Sequence, residues 1–316
     1  MKNQTVRISI VVLASVLTIA LSTSALAQSF KQIPVKGGAK MMQIASGGHS
    51  VWALATNGQP YIYQNNQFVL ANSRSLSQIA VGGGNVRQAD TVWALDSATN
   101  IYRASKNGTS WVFKQMPGNL DFIAVGIGYD DNCHPYEVWG INSASLIYRF
   151  NFCIHNWENI PGSLRTLVIG NGDIWGINSS DQLYRFDFDT FGFTGYDLGA
   201  SPATSVTAGA NGVWLLSCTF GKFEVCQPYQ YNPGMQMFGE LQTIPEGLVI
   251  VDIQAGGDGA WGLGYHVGSH TGAIIRFDSE SIGYQVPGTL VSISVGDGGG
   301  VWGLDGAGQP YSFTTP

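Results

Sequence analysis

Short apolar runs of four or five residues recur along this chain, each closed by a glycine or a polar turn and each shorter than an ordinary helix. One kind ends in glycine: Ile79-Ala80-Val81-Gly82, Ile123-Ala124-Val125-Gly126, Leu167-Val168-Ile169-Gly170 and Ile293-Ser294-Val295-Gly296. A second kind is centred on tryptophan: Val92-Trp93-Ala94-Leu95, Val138-Trp139-Gly140-Ile141, Ile174-Trp175-Gly176-Ile177 and Val301-Trp302-Gly303-Leu304. Side chains alternate between the two faces of a strand. In the second kind, Val and Gly share one face and Trp and Ile the other, so both faces are apolar or small. Such a strand is buried on both sides, because a half-exposed one would show polar residues on one face. The small residue after Trp leaves room for a large side chain of a neighbour.

Trp52, Trp93, Trp139, Trp175, Trp214, Trp261 and Trp302 follow one another at gaps of 41, 46, 36, 39, 47 and 41 residues. That spacing is the period of a four-stranded propeller blade. The glycine-ended run is strand a and the Trp-centred run strand b, with Trp as its packing anchor. Strand c carries an aromatic residue nine positions after the anchor in six copies: Tyr61, Tyr102, Tyr148, Tyr184, Phe223 and Tyr311. In the sixth copy, Ile275-Arg276 takes that place after a longer b–c loop. Strand d runs toward a Pro-Gly turn, as from Trp111 to Met116-Pro117-Gly118 and from Trp157 to Ile160-Pro161-Gly162.

The last copy has no strand d, because only three residues follow Phe313. Phe30-Lys31-Gln32-Ile33-Pro34 closely matches Phe113-Lys114-Gln115-Met116-Pro117, a strand d of the second copy. The N-terminal segment is therefore expected to complete the blade begun at the C-terminus, which closes the ring and removes an exposed edge. The fold expected is an all-β, seven-bladed propeller of antiparallel blades. Six blades is the alternative, with the fifth copy the one to be lost, since it reads Trp214-Leu215-Leu216 and has Phe at strand c.

Before the first repeat, Lys2 and Arg7 precede an apolar run from Ile8 to Leu21, and Ala25-Leu26-Ala27 follows. That order reads as a signal peptide over residues 1–27. Residues 28–316 then form a single propeller domain, secreted or periplasmic, with no membrane span after cleavage. Removing Lys2 and Arg7 with the leader takes the net charge from −6 to −8, a balance that argues against nucleic acid as a partner. Four cysteines in an exported chain suggest two disulfides. The repeat map favours Cys133 with Cys153, since a–b and c–d connections emerge at the same end of a blade. Cys218 and Cys226 then flank the b–c turn of the fifth copy.

The Val-Trp-Gly-Ile-Asn, Ile-Tyr-Arg and Trp…Ile-Pro-Gly elements, best seen from Val138 to Gly162 and from Ile174 to Arg185, resemble the tectonin repeat. Tectonins, tachylectin of the lipopolysaccharide-binding type and fish-egg lectins carry it. The resemblance implies a non-enzymatic, lectin-like propeller that binds cell-surface glycans or lipopolysaccharide. Rings of that family are commonly six-bladed, so seven copies depart from its pattern. The WD repeat has a similar period, but Asp never follows Trp here.

The acids are scattered, and spacing alone pairs none of them as glycoside hydrolysis would require. His266 and His270 lack nearby carboxylates, so no metal or other cofactor is expected. Sugars are held by aromatic faces and planar polar groups, and the repeat offers Tyr102-Arg103, Tyr148-Arg149 and Tyr184-Arg185 on strand c, with Trp111 and Trp157 on strand d. Inter-blade packing is the competing role for these side chains. A protein partner docked on one face of the ring is the alternative to glycans.

Overall fold

The computed structural model describes residues 29–84, 88–128, 133–170, 172–199, 201–219, 225–240, 244–277 and 282–314. The proposed leader, Phe223 and Asp130-Asp131, two acids just before Cys133 in the sequence, lie outside them. Among the described residues, 28 strands form seven four-stranded antiparallel sheets and no helix occurs. Blades 1 to 6 span residues 41–70, 78–119, 122–163, 166–196, 205–240 and 248–286. Blade 7 joins Ser292–Val295, Val301–Leu304 and Pro310–Thr314 to the N-terminal strand Ser29–Gln32. Phe30 pairs with Phe313 and sets its ring 5.7 Å from Trp261 of blade 6, so the closing strand is tied to the neighbouring blade as well as to its own.

Strand b is the buried middle of each blade. Every residue of Val51–Ala55 and Thr91–Leu95 is buried, as both-face apolarity requires. In six blades the Trp packs edge-on against an aromatic of the next blade, as Trp93 on Phe150 (4.9 Å), Trp139 on Phe186 (4.9 Å), Trp175 on Tyr231 (5.0 Å) and Trp261 on Phe313 (4.6 Å), while Trp214 lies tilted on Phe277 at 5.7 Å. In blades 2, 3, 4 and 7 the residue after Trp faces the preceding blade, against a leucine from the linker between the two. A Cβ on Gly140 would collide with Leu120, one on Gly176 with Leu164 and one on Gly303 with Leu290. Blade 5 inverts the sizes. Leu215 stands after Trp214, and the linker residue in the same cluster is Ala203. The fifth copy is thus a full blade whose core is packed the other way round, and the count is seven.

The a strands line a central channel of about 420 Å³. Their inner edges have no neighbouring strand, so side chains of one blade reach the backbone of the next. Gln43 bridges both N–H and C=O of Ile79, and Gln78 does the same for Ile123. Ser294 accepts from the N–H of Ser46, and Thr207 from that of Ala255. The glycine ending strand a is needed for space: a Cβ on Gly126 would overlap Ile169 of the next blade.

Strand register corrects one sequence expectation. In five blades the residue after Trp faces a strand-c tyrosine, as Ala94 faces Tyr102 and Gly176 faces Tyr184. In blade 5 that partner is Tyr229, not Phe223. The b–c hairpin there is six residues longer, and the Cys218–Cys226 bridge crosses it between directly opposed residues. Cys133 and Cys153 form the other bridge. In blade 6, Ile275 does take the tyrosine's place, with Arg276 opposite Trp261. In the c–d turn of blade 2, Asn107 pairs with Ser110 and Gly108-Thr109 forms the centre.

Candidate functional site

The strand-c arginines belong to a repeated device. Arg103, Arg149, Arg185 and Arg276 stand opposite Trp93, Trp139, Trp175 and Trp261. Each guanidinium lies over its indole at 5.5–5.9 Å, a cation–π distance. An acid at the head of strand b holds three of them. Glu137 accepts from Arg149 Nε (2.9 Å) and NH2 (2.5 Å) and from the Trp139 indole (2.6 Å). Asp258 likewise serves Arg276 (3.1 Å) and Trp261 (3.0 Å). Asp173 takes Arg185 through one oxygen only, at 3.1 and 2.6 Å, and Trp175 Nε1 is left without an acceptor.

What differs between blades is the roof. An aromatic three residues beyond the strand-c arginine covers the arginine of the preceding blade. Phe152 lies 5.1 Å from Arg103, and Phe188 lies 5.7 Å from Arg149 with Phe191 at 5.8 Å. In blade 5, Gln230 occupies the arginine position opposite Trp214, so the roof position is Pro233. Arg185 consequently keeps 37% of its side chain exposed against 4% for Arg149. A groove of about 560 Å³ opens there, lined by Asp173, Arg185, Asp187, Asp189, Tyr196 and Tyr231 among others. Two further hollows of about 300 and 310 Å³ lie on the other side of Tyr196, the first beside Tyr184.

The groove is held firmly. Tyr231 accepts from Arg185 NH1 at 3.3 Å, and the Tyr196 hydroxyl donates to the Gln236 carbonyl at 2.5 Å. Burial raises the Tyr196 phenol, which stays neutral. Asp187 is held below the usual carboxylate range by the Asp189 N–H and the Thr190 hydroxyl, so it is ionised at any ordinary pH. Gly195 faces Tyr184 across the sheet and leaves that ring uncovered. Successive strand residues point to opposite faces, so Tyr184 and Arg185 open to hollows on either side of Tyr196.

The remaining sequence candidates sit in blade junctions. Tyr102 is 4% exposed, donates to Asp96 (3.0 Å) and lies under Arg74. Tyr148 is half-buried, with its hydroxyl at 3.5 Å from the Asn142 amide that caps the same turn. Arg103 is half-buried under Phe152, and Arg149 is enclosed. Trp111 packs edge-on against Trp52 at 4.7 Å. Trp157 donates to the Pro117 carbonyl at 2.8 Å and packs on Phe150. Sequence reasoning missed Asp173, Asp187, Asp189, Tyr196 and Tyr231. Their signal was Pro233 standing where blades 3 and 4 have Phe. Among the described residues, no group of three or more His, Cys, Asp or Glu is placed to hold a metal ion.

A closed ring of short Trp-anchored blades defines a β-propeller of the tandem-repeat type. The Tectonin domain matches residues 21–191, more than half of the chain, and the chain belongs to that family. A comparison with curated proteins gives no match. Among solved structures, YCF48 bound to D1 peptide is 14% identical with a TM-score of 0.60, over 94% of this chain and 100% of that one. YCF48 from Cyanidioschyzon merolae is 14% identical at 0.61, over 90% and 98%. Prp20p from Saccharomyces cerevisiae, described with its binding to Gsp1p and histones, is 9% identical at 0.59, over 88% and 83%. At these identities the likeness is one of fold.

Proposed function

We propose that this protein is a secreted or periplasmic, non-enzymatic carbohydrate-binding propeller that recognises cell-surface glycans or lipopolysaccharide through the groove between blades 4 and 5. The observation that carries the reading is Arg185, which keeps 37% of its side chain exposed beside the Tyr231 ring. It puts a guanidinium, carboxylates and the Tyr196 and Tyr231 rings around one open hollow, the mixture that a polyhydroxylated ring needs. The family membership, the two disulfides and the leader-like N-terminus support it. Of the three Tyr-Arg pairs in the sequence, the reading uses Tyr184-Arg185. A glycan array with the mature protein tests it. Selective binding that Tyr196→Ala abolishes is the expected result, and a flat response across all glycans and lipopolysaccharide refutes it.

A protein partner is the second reading, and the channel mouth favours it. At the residue preceding the one paired with Trp+2, blades 6, 7 and 1 carry Val251, Val291 and Met42, exposed by 45%, 67% and 50%. Blades 2 to 5 carry Ser77, Asp121, Arg165 and Thr204 there. Three adjacent blades thus make an apolar crescent on an otherwise polar rim. YCF48, a protein of similar fold, was solved bound to D1 peptide, which supports this reading. A partner that co-purifies in excess free sugar and is lost on Val291→Asp supports this reading.

A further inference from the structure

We infer that the blade 4–5 groove selects amine-bearing sugars, unacetylated hexosamines above all, over neutral ones. The inference rests on the carbohydrate reading and names its ligand class. The groove is lined by three carboxylates, Asp173, Asp187 and Asp189, and Arg185 is the single cation among the described residues lining it. Arg185 is committed to Asp173 through Oδ1. Among the described residues neither Asp173 Oδ2 nor the exposed Asp189 carboxylate has a hydrogen-bond or ion-pair partner. The lining therefore keeps two uncompensated negative charges.

A second observation points to a ligand at the same place. Trp175 is fully buried, and its indole N–H has no acceptor. In blades 2 and 3 the equivalent N–H is satisfied by the residue two before it, Thr91 or Glu137. In blade 4 that residue is Asp173, which lines the groove and has turned to Arg185. The N–H is thus left unsatisfied next to an acid that lines the groove. A ligand with an ammonium matches the set: the ammonium meets Asp189 and Asp173 Oδ2, while hydroxyls of the same ring face Tyr196 and Tyr231. Trp52 and Trp214 also lack an acceptor, with Ser50 and Gly212 at the head of their strands, so only at Trp175 does the orphan coincide with carboxylates and a groove.

The test compares three β1–4-linked tetramers that differ at C2: fully deacetylated chitotetraose, chitotetraose and cellotetraose. Binding is measured with the mature protein at pH 5.5, where an amine with a pKa of about 7.7 is protonated. The deacetylated tetramer should bind about fivefold tighter than cellotetraose, or ~1 kcal/mol. That advantage should fall away in 0.5 M salt, where the screening length is only a few ångströms. Asp189→Asn should remove it, while Asp121→Asn, an exposed acid at the channel mouth, should leave it intact. Equal binding of the three tetramers, or an advantage that survives Asp189→Asn, overturns the selectivity while leaving the sugar reading standing. No binding by any tetramer, together with a flat glycan array, overturns both.

Discussion

Glu137→Gln and Asp173→Asn change the same kind of acid beside the same kind of arginine, in adjacent blades, yet their costs should differ severalfold. Glu137 is fully buried and Arg149 only 3% exposed. The glutamine keeps the shape and one acceptor but leaves the guanidinium enclosed without its countercharge, under Phe188 and Phe191. Breaking a buried pair by removing one partner costs about 3–5 kcal/mol. In blade 4 the pair is 37% and 17% exposed, and water takes over much of the lost interaction, so about 0–1 kcal/mol is expected. Equilibrium urea unfolding followed by tryptophan fluorescence gives both values under one set of conditions. The double replacement Glu137→Met with Arg149→Met should recover most of the loss, since apolar residues of similar volume often substitute for a buried pair without penalty. Equal costs for the two single variants, or a loss below ~1 kcal/mol for Glu137→Gln, would show that the roof does not set the environment of these arginines.

Other consequences are as direct. Leu215→Gly should leave a cavity worth about 2–5 kcal/mol, and Ala203→Leu alone should overpack by about 1–3 kcal/mol. The double variant restores the size order of the other blades, so urea unfolding should find it more stable than the sum of the singles, and simple additivity would contradict the packing argument. Asp297 lies at the channel end, where burial raises its carboxyl above 3.8 against the opposing hydrogen bond from the Ala210 N–H. A raised carboxyl pKa means that folding favours the protonated form, so its penalty appears as pH rises through the folded pKa. Asp297→Asn should therefore raise Tm at pH 7 and not at pH 3, and equal shifts at both would refute the burial argument. Pro233→Phe should roof Arg185 as Phe188 roofs Arg149 and weaken glycan binding at least tenfold with Tm unchanged or higher; unaltered binding in a folded variant would move the site elsewhere.

The ring was legible because its packing is periodic. Strand b has to be apolar on both faces, so an indole recurs once per blade, and the N-terminal Phe-Lys-Gln-Ile-Pro segment carries the same alternation as the strand d it copies. The nine-residue count from Trp to Tyr held wherever the b–c turn kept its length. It failed at blade 5 because a longer hairpin shifts the count without changing the register, and only pairing identifies Tyr229. The groove was half legible. Tyr184-Arg185 reads like Tyr102-Arg103 and Tyr148-Arg149, and nothing in the three pairs separates them. Their exposure is decided by the next blade, where a proline replaces an aromatic ring, and such an absence is visible only once the register between strands is known.

Of the blade junctions, the one between blades 4 and 5 is proposed to take the ligand. A crystal of the mature protein soaked with the oligosaccharide that binds best on the array tests it most directly. The predicted result is a sugar ring between Tyr196, Tyr231 and Arg185 at the junction of blades 4 and 5. Ordered sugar at the channel mouth or at another blade junction, with this groove empty, would contradict it.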